Sequence, residues 1–392
     1  MTSELITDIG ELSTQADGES RRHDAALVVE NGRIAWIGAA RDAPDADVRT
    51  SVGGRAVLPG WVDSHSHMLF AGDRSAEFEA RMAGQKYAAG GIGTTVRATR
   101  AATDAELEAN LLRLRDEAQA QGTTFLETKT GYGLDVESER RSAEIGSRGA
   151  DVVTYLGAHL VPEGISARDY LDLVTGPMLQ AVLPWATFID VFCETGAFDV
   201  EQSREVLTAG RDAGLALRVH GNQLGHSGGV ALAVELGAAS VDHCNYLTRQ
   251  DVDSLASSGT VATVLPACDL STREPFGPAR QLLDAGAVLA IATNCNPGTS
   301  YTTSMQFSVA TAVLQMHLTI EEAVWAATRG AARALLRDEG DDAVGILRVG
   351  GRADLQVLNA PSVSHIAYRP GVPLTTAVWR SGHRTADLSH GF

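Results

Sequence analysis

The sequence predicts an α/β protein built on a (β/α)8 TIM-type barrel, with a small β-sandwich domain formed from both chain ends. Apolar strand candidates alternate with helical patterns between residues 57 and 340, and short strands with glycine turns occupy the two ends. A doubly wound sheet is disfavoured because no glycine-rich phosphate-binding motif follows the first strand. Eight strand candidates fit the barrel: 57–65, 123–129, 152–159, 188–194, 215–220, 238–243, 260–266 and 287–293.

The chain ends carry the strands of the smaller domain. Residues 26–38 read as a hairpin around Asn31 and Gly32, since Asn-Gly supplies the positive φ angles of a tight turn. Residues 345–359 and 376–383 show a similar pattern near the C-terminus. We therefore expect residues 1–56 and 343–392 to pair into one β-sandwich, with residues 57–342 forming the barrel between them.

One βα unit of the barrel is legible in detail. Thr103 and Glu106 form a predicted capping box, apolar residues recur at helical spacing after it, and Gly122 stands where the helix should end. The apolar strand 123–129 follows directly. This alternation of helix and buried strand is typical of a parallel sheet.

Composition limits the class of protein. Lys and Arg total 32 against 49 Asp and Glu, so the formal charge is −17, which argues against a nucleic-acid or anionic-membrane partner. Hydrophobic residues make up 44% and charged residues 21%, as in ordinary globular proteins. The four cysteines form no CxxC pair, the N-terminal segment lacks a signal-peptide pattern, and no long apolar run occurs. We expect a cytoplasmic protein without a membrane segment.

Histidines at strand ends predict a metal site. His65 and His67 end the first barrel strand, and because side chains alternate along a strand, both imidazoles point the same way. His220 and His243 end two later strands, and the carboxyl ends of barrel strands meet at one rim. An isolated HxH is more often a pair of ordinary polar residues, but four histidines at one rim favour a bound cation.

The last barrel strand should contribute a further group near this cation, and Asn294 stands there. An amide is a weak, neutral oxygen ligand that cannot accept a proton at neutral pH. Its neighbour Cys295 faces the other way along the strand, so we expect it to pack outward.

Six segments, in order along the chain, resemble the imidazolonepropionase family of the amidohydrolase superfamily. They are VDSHSHMLFAGDRSAEFEARM, ETKTGYGL, YLGAHLVP, RVHGNQL, VDHC and ATNCNPGTS. The resemblance implies one divalent metal, zinc or iron, held by His65, His67 and His220 with an aspartate at position 294. This sequence departs from that pattern with Asn294, so it is either a disabled enzyme or a natural divergent member.

The resemblance also implies roles for other residues. His243 is a candidate catalytic residue together with Asn294, and Arg74 is expected to pair with a substrate carboxylate through its guanidinium. Without the resemblance, Arg74 would read as a surface salt bridge and the Asn-Pro-Gly-Thr segment as a plain turn. The substrate-binding residues implied are Arg74, Tyr87, Tyr132, His159, Gln223, Asn296, Gly298 and Thr299.

The predicted reaction is hydrolysis of the cyclic amide of 4-imidazolone-5-propanoate to N-formimino-L-glutamate, attenuated by Asn294. Two alternatives stay open: another cyclic amide or amidine hydrolase or deaminase of the superfamily, and a catalytically impaired, ligand-binding barrel. The expected partner is a small molecule with a carboxylate, and the family implies a homodimer.

Overall fold

The computed structural model describes residues 2–18, 20–84 and 91–387 of the 392-residue chain. Tyr87, one of the predicted substrate-binding residues, lies outside the described residues. The chain divides into two compact units. The first comprises Met1–Ser64, Asp116–Phe125 and Ser304–Phe392, and the second comprises His65–Arg115 and Leu126–Thr303.

Strands make up two sheets, numbered here in chain order. The bounds are β1 Glu4–Ser13, β2 Arg21–Glu30, β3 Arg33–Ala39, β4 Val48–Ser51, β5 Ala56–Pro59, β6 Trp61–Asp63, β7 Thr123–Lys129, β8 Val152–Ala158, β9 Phe188–Cys193, β10 Ala216–Gly221, β11 Ser240–His243, β12 Val261–Val264, β13 Leu289–Ile291, β14 Leu355–Leu358, β15 Thr375–Arg380 and β16 His383–Asp387.

Helices connect the strands of the second sheet, and further helices follow its last strand, β13, in the chain. None of those in the described part of the chain is long and apolar enough to cross a membrane. Their bounds are α1 Ser75–Met82, α2 Ile92–Ala101, α3 Asp104–Ala120, α4 Val136–Gly149, α5 Ala167–Thr175, α6 Pro177–Val182, α7 Val200–Asp212, α8 Gly229–Leu236, α9 Arg249–Ala256, α10 Pro266–Thr272, α11 Ala279–Asp284, α12 Met305–Gln315, α13 Ile320–Trp325, α14 Ala331–Ala334 and α15 His365–Tyr368.

Both chain ends contribute to one sheet, as predicted. Its strand order is β16-β15-β14-β5-β1-β2-β3, with β4 paired to β1. The predicted hairpin is confirmed: β2 and β3 are antiparallel, and Asn31 and Gly32 have φ of 54° and 79° at the turn between them. Fully buried Ile6, Leu27 and Trp379 belong to the core of this sheet.

Within 345–359, where strands with glycine turns are predicted, the turn at Gly350 is confirmed and the strand before it is wrong. The strand covers Leu355–Leu358, and the preceding residues form turns. Gly345 and Gly350 have φ of 74° and 82°, which takes the backbone out of the extended region at both points. A Cβ at Gly345 would lie 2.5 Å from the backbone of Thr328, so the close approach there requires glycine.

The first barrel strand is also shorter than the predicted 57–65. The chain leaves the first sheet after β5 and enters the second at β6, with Gly60 between them. A Cβ at Gly60 would lie 2.1 Å from Oγ1 of Thr124, so a larger residue would collide where the chain changes sheets. The apolar residues on both sides of this glycine form one continuous run, Ala56–Val62, so the break is not visible in the sequence.

The second sheet is the predicted barrel. Its order, β13-β12-β11-β10-β9-β8-β7-β6, follows the chain strand by strand, with helices between successive strands from β7 to β13. The ends meet through the segments after β6 and β13, where Asn294 N donates to His65 O at 2.9 Å and His67 N donates to Cys295 O at 2.8 Å. These hydrogen bonds place the residues that follow the first and last strands side by side at the rim.

The predicted helix before β7 is confirmed. Thr103 N donates to Oε2 of Glu106 at 2.8 Å, and Glu106 N donates to Oγ1 of Thr103 at 3.3 Å, which completes the capping box. Leu107 and Leu111 are fully buried on one face of α3. Gly122 has a φ of 100° after the helix end, as the sequence predicts.

Candidate active site

Three predicted metal ligands converge at the carboxyl end of the barrel. Nε2 of His67 lies 3.2 Å from Nε2 of His65 and 3.3 Å from Nε2 of His220. All three side chains are buried. Strand alternation brings His65 and His67 to the same side, and His220 reaches them from β10.

A carboxylate fixes the orientation of the His65 ring, and a second carboxylate lies beside the His220 ring. Nδ1 of His65 donates to Oδ2 of Asp242 at 2.7 Å, and Nδ1 of His220 lies 3.0 Å from Oδ2 of Asp190. A carboxylate accepts the ring proton at Nδ1, so the lone pair of His65 is on Nε2, which faces the other imidazoles. Such a partner on the far ring nitrogen is typical of metal-binding histidines.

A buried charge network lies behind these carboxylates. Nζ of Lys129 lies 3.0 Å from Oδ2 of Asp190 and 2.8 Å from Oε1 of Glu127. Nη2 of Arg218 lies 3.0 Å from Oδ2 of Asp242. All five side chains are fully buried, so they stabilise one another at low dielectric. Two cations therefore compensate three carboxylates directly behind the histidines.

Burial keeps the imidazoles of His65 and His67 neutral. It lowers the pKa of His65 and of His67 well below the usual value, and neighbouring Lys129 and histidines add to the effect. Burial would raise the pKa of Asp242, but Arg218 and His65 hold it well below its usual range. Neutral imidazoles with ionised carboxylates behind them are the protonation state that binds a cation.

The histidine geometry fits a divalent metal. Zinc with Zn–N bonds of about 2.0–2.1 Å in a tetrahedron sets nitrogen separations of about 3.3–3.4 Å. The two Nε2 separations of 3.2 and 3.3 Å match that edge. The side chains of His65, His67 and His220 are therefore suited to hold a divalent metal.

His243 and Asn294 border the same centre. Ring nitrogens of His65, His220 and His243 all lie within 4.8 Å of one another, so His243 directly borders the predicted metal ligands. Its Nδ1 is buried without a hydrogen-bond partner among the described residues. Burial and His220 lower the pKa of His243 to about 3, which leaves the ring neutral. Asn294 has a φ of 52°, a conformation that Asn and Asp tolerate.

A pocket with a cavity volume of about 30 Å³ opens over this centre. The pocket brings together most of the site residues predicted from the sequence. Its lining comprises His67, Arg74, Ile92, Tyr132, His159, Phe192, His220, Gln223, His243, Asn294, Asn296 and Thr299.

Arg74 supplies the positive charge of the pocket. Its Nε and Nη2 donate to the two carboxylate oxygens of Glu77 at 2.8 and 2.6 Å, while its own side chain is 4% exposed. A Cβ at Gly298 would lie 2.2 Å from Nη1 of Arg74, so the glycine makes room for the guanidinium. Gly298 is outside the pocket lining and borders it through Arg74.

The Gly-Tyr-Gly segment forms a tight loop after β7. Tyr132 is 3% exposed, and its ring centroid lies 5.4 Å from that of His159 and 6.1 Å from that of His67. Nδ1 of His159 donates to the carbonyl oxygen of Gly131 at 2.9 Å. Since a carbonyl only accepts, His159 carries its proton on Nδ1 and offers Nε2 as an acceptor; burial and His220 lower its pKa to about 4.

Two polar loops complete the lining. Gln223 N donates to Oε2 of Glu194 at 2.9 Å, which fixes the start of the loop after β10. Oδ1 of Asn296 accepts from the amides of Gly298 and Thr299, both at 2.8 Å. The Asn296 side chain therefore shapes its own loop, whereas the amide of Gln223 lies on the pocket wall.

The charged residues that lie behind the predicted metal ligands were not identified from the sequence. Asp190 and Arg218 are each the only Asp, Glu, Lys or Arg in a largely apolar strand, and Lys129 shares the fully buried strand β7 with Glu127, which is a signal that was available. Arg218 lies two residues before His220, and Asp242 lies one residue before His243. Neither charged residue was recognised, because only the histidines were taken as the motif. Glu77 and Glu139 lie on helices and carry no comparable signal.

Relatives of known name are similar over nearly the whole chain. Imidazolonepropionase of Saccharopolyspora erythraea is 67% identical over 384 residues, covering 98% of this chain and 99% of that protein. Imidazolonepropionase of Arthrobacter sp. is 62% identical over 398 residues, with 97% and 99% covered. No protein-family profile matches the chain.

Solved structures share the fold at low sequence identity. An adenosine deaminase from Xanthomonas campestris with bound zinc superposes with a TM-score of 0.75 at 19% identity, covering 98% of this chain and 93% of that one. A mutant atrazine chlorohydrolase from Arthrobacter aurescens, complexed with zinc and atraton, has a TM-score of 0.72 at 17% identity, with 98% and 95% covered. Because it is 67% identical to one imidazolonepropionase over 98% of its length and 62% identical to another over 97%, the chain belongs to the imidazolonepropionase family.

Proposed function

We propose that this chain hydrolyses 4-imidazolone-5-propanoate to N-formimino-L-glutamate, a step of histidine degradation, at the centre formed by His65, His67 and His220. The observation that carries the proposal is a pocket in which a cation-binding histidine cluster and a buried arginine face the same space. The reaction opens a cyclic amide whose other end is a carboxylate. The pocket holds a complementary group for each end of that substrate: the histidine cluster for the cyclic amide and Arg74 for the carboxylate.

The histidines are the proposed ligands of zinc or iron. A divalent ion bound there supplies Lewis acidity, which polarises a carbonyl group and acidifies water. Asp242 and Asp190 fix the rings of His65 and His220 through Nδ1, so the lone pairs on Nε2 stay directed inward. The choice between zinc and iron depends on metal supply as well as on these ligands.

Arg74 is the proposed carboxylate-binding residue. Glu77 already occupies the Nε and Nη2 edge of the guanidinium, so Nη1 and the second proton of Nη2 are left for the substrate. A pre-oriented guanidinium loses little entropy on binding an anion. Arg74 would therefore hold the propanoate tail and set the distance from it to the scissile amide.

His159 and Gln223 are proposed to bind the imidazolone ring through hydrogen bonds. With its proton on Nδ1, His159 presents an acceptor at Nε2, which suits a ring N–H of the imidazolone. Gln223 carries both a donor and an acceptor and can match either ring nitrogen. We further propose that Tyr132 donates a hydrogen bond to the substrate, with Asn296 and Thr299 shaping the wall and Tyr87 as an additional contact.

His243 is the proposed hydrogen-bond donor to the oxygen that gains charge during the attack. Its ring is neutral and buried beside the cluster, and a neutral imidazole donates from one nitrogen. Asn294 cannot take a proton from water, so the chain lacks the general base that an aspartate would provide there. The proposed activity is consequently attenuated.

Asn294 also supports a second candidate, a barrel that binds the substrate without turnover. A third candidate, deamination of a neutral base, fits poorly because Arg74 would face no anion. Incubation of the purified, metal-loaded chain with 4-imidazolone-5-propanoate separates them. Loss of ultraviolet absorbance with formation of N-formimino-L-glutamate is expected; thermal stabilisation without turnover would support the binding protein, and ammonia release from a purine and pyrimidine panel would support a deaminase.

Three further proposals concern the whole chain. We propose a homodimer, on the family resemblance, and a cytoplasmic location, on the absence of disulfide-like cysteine spacing. The domain division of 1–56, 57–342 and 343–392 also stays a proposal. It is tested by limited proteolysis, which should cleave near those boundaries before cutting elsewhere.

A further inference from the structure

We propose that Glu139 is a positioning residue that holds the Tyr132 loop in the shape the substrate requires. Here the Tyr132 loop means residues 130–134. The inference rests on the proposed function, because the contact between Tyr132 and substrate is part of it. Glu139 lies on α4, outside the pocket lining, and acts through the loop rather than on the substrate.

One carboxylate collects three backbone amides of this loop. Oε1 of Glu139 accepts from Gly133 N at 2.7 Å and from Leu134 N at 2.8 Å. Oε2 accepts from Gly131 N at 3.0 Å. The amides on both sides of Tyr132 are therefore bound to a single side chain.

Glu139 is fully buried, so the stability of its carboxylate depends on these hydrogen bonds. Its polar contacts in the described chain are N–H and hydroxyl donors of the loop, and no described Lys or Arg forms an ion pair with it. A buried carboxylate is costly unless its lone pairs are satisfied by donors. The loop supplies the donors that the carboxylate needs, and the carboxylate keeps the loop folded around it.

The loop is fastened on its carbonyl side as well. The carbonyl of Gly131 accepts from Nδ1 of His159 at 2.9 Å. Gly131 has a φ of 107° and Leu134 a φ of 55°, which is costly for a leucine. Hydrogen bonds from both sides offset this strain, and the one at Leu134 comes from Glu139.

An amide at position 139 cannot reproduce this arrangement. Glutamine keeps one acceptor oxygen but replaces the other with an NH2 group, which would face a loop N–H. With the glutamine oxygen in the Oε1 position, Gly131 N would face the NH2 group and keep only its longer contact, 3.2 Å, to the oxygen. A shift of the Tyr132 ring by about 1 Å in a catalytic pocket can cost about 10²-fold in rate.

The test is a double-mutant cycle on kcat/KM for hydrolysis of 4-imidazolone-5-propanoate. We expect Tyr132→Phe alone and Glu139→Gln alone each to lose about tenfold, as for the loss of one hydrogen bond to the substrate. If Glu139 acts through Tyr132, adding Tyr132→Phe to Glu139→Gln costs nothing further. Additive losses would overturn the inference. Glu137→Gln is the matched control, since Glu137 is two residues earlier on the same helix and its side chain is 74% exposed.

A second measurement needs no substrate. Hydrogen–deuterium exchange at residues 130–135 should accelerate in Glu139→Gln and stay unchanged in Glu137→Gln. Glu139→Asp, which keeps the charge but shortens the side chain, should give an intermediate exchange rate and serves if the glutamine variant does not fold. Unchanged exchange in a folded variant would overturn the inference even if the parent chain proved inactive. An inactive parent with accelerated exchange would instead refute the proposed function and leave the loop anchor in place.

Discussion

Lys129 and Asp190 form a fully buried ion pair, with 3.0 Å between Nζ and Oδ2. The same carboxylate oxygen lies 3.0 Å from Nδ1 of His220, so the lysine is one step removed from a proposed metal ligand. Nζ of Lys129 is also 3.9 Å from Oδ2 of Asp242, which accepts from His65. One lysine thus supports the carboxylates that orient two imidazoles.

Lys129→Met should weaken both metal binding and the fold. Removing the cation leaves Glu127 and Asp190 without their buried partner, which typically costs ~3–5 kcal/mol of unfolding free energy. Metal per chain, measured by elemental analysis after dialysis, should fall about 10-fold or more, as for other losses in the outer layer of a metal site. The surface variant Arg168→Met, whose side chain is 54% exposed, should change stability by about 0–1 kcal/mol and leave the metal content unchanged. Full metal content in Lys129→Met would contradict the proposed support.

Asn294→Asp should raise the hydrolysis rate. Aspartate tolerates the φ of 52° at this position and adds the missing proton acceptor, so general-base assistance of ~10²–10⁴-fold becomes available. The measurement is kcat of both chains at equal metal content. Equal rates would remove position 294 from the mechanism.

Arg74→Lys should weaken substrate binding. A single ammonium cannot keep both bonds to Glu77 and still present a fork to a carboxylate. We expect KM for 4-imidazolone-5-propanoate to rise about 10- to 100-fold, the range of a lost charged hydrogen bond. Arg97→Lys, on the exposed face of α2, is the control and should behave as the parent. A KM that does not change would show that Arg74 does not bind the tail.

Asp269 should make the stability of the chain depend on pH. Burial raises its pKa to about 7, although Asn245 donates to it at 2.7 Å. An unfolded aspartate has a pKa of about 3.9, so the folded chain binds more protons between these values and loses stability as pH rises through them. From pH 5 to pH 8 the parent should lose ~2–3 kcal/mol more unfolding free energy than Asp269→Asn, measured by urea denaturation. Parallel pH curves for the two proteins would contradict this assignment.

Local patterns were sufficient to predict much of the fold. The hairpin at Asn31 and Gly32, the helix after Thr103 and the sequence of barrel strands all depend on residues close together in the chain. The change of sheet at Gly60 was not predictable, because its cause is the approach of Thr124, 64 positions along the chain. A collision between distant segments leaves no periodic signal.

The candidate site, like the fold, was only partly predictable from the sequence. His65, His67 and His220 were found because a strand end fixes where a side chain points. The partnership of Lys129 with Asp190 was not, because it joins two strands through side chains whose spacing in the sequence carries no motif. Glu139 was missed because its role depends on the folded shape of a loop. Residues proposed to contact substrate or metal can be placed from the order of the strands in the sequence. The residues that support them are placed by side-chain packing between distant segments, which the sequence does not reveal.

The most direct test of the account is turnover by the same protein with and without its metal. The chain as purified, stripped with chelator, and then reloaded with zinc or iron is incubated with 4-imidazolone-5-propanoate, while ultraviolet absorbance and N-formimino-L-glutamate are measured together. We expect about one metal per chain to restore product formation, with little product from the stripped protein. Equal turnover by the stripped protein, or none after reloading even with Asn294→Asp, would contradict a metal-dependent imidazolone hydrolase.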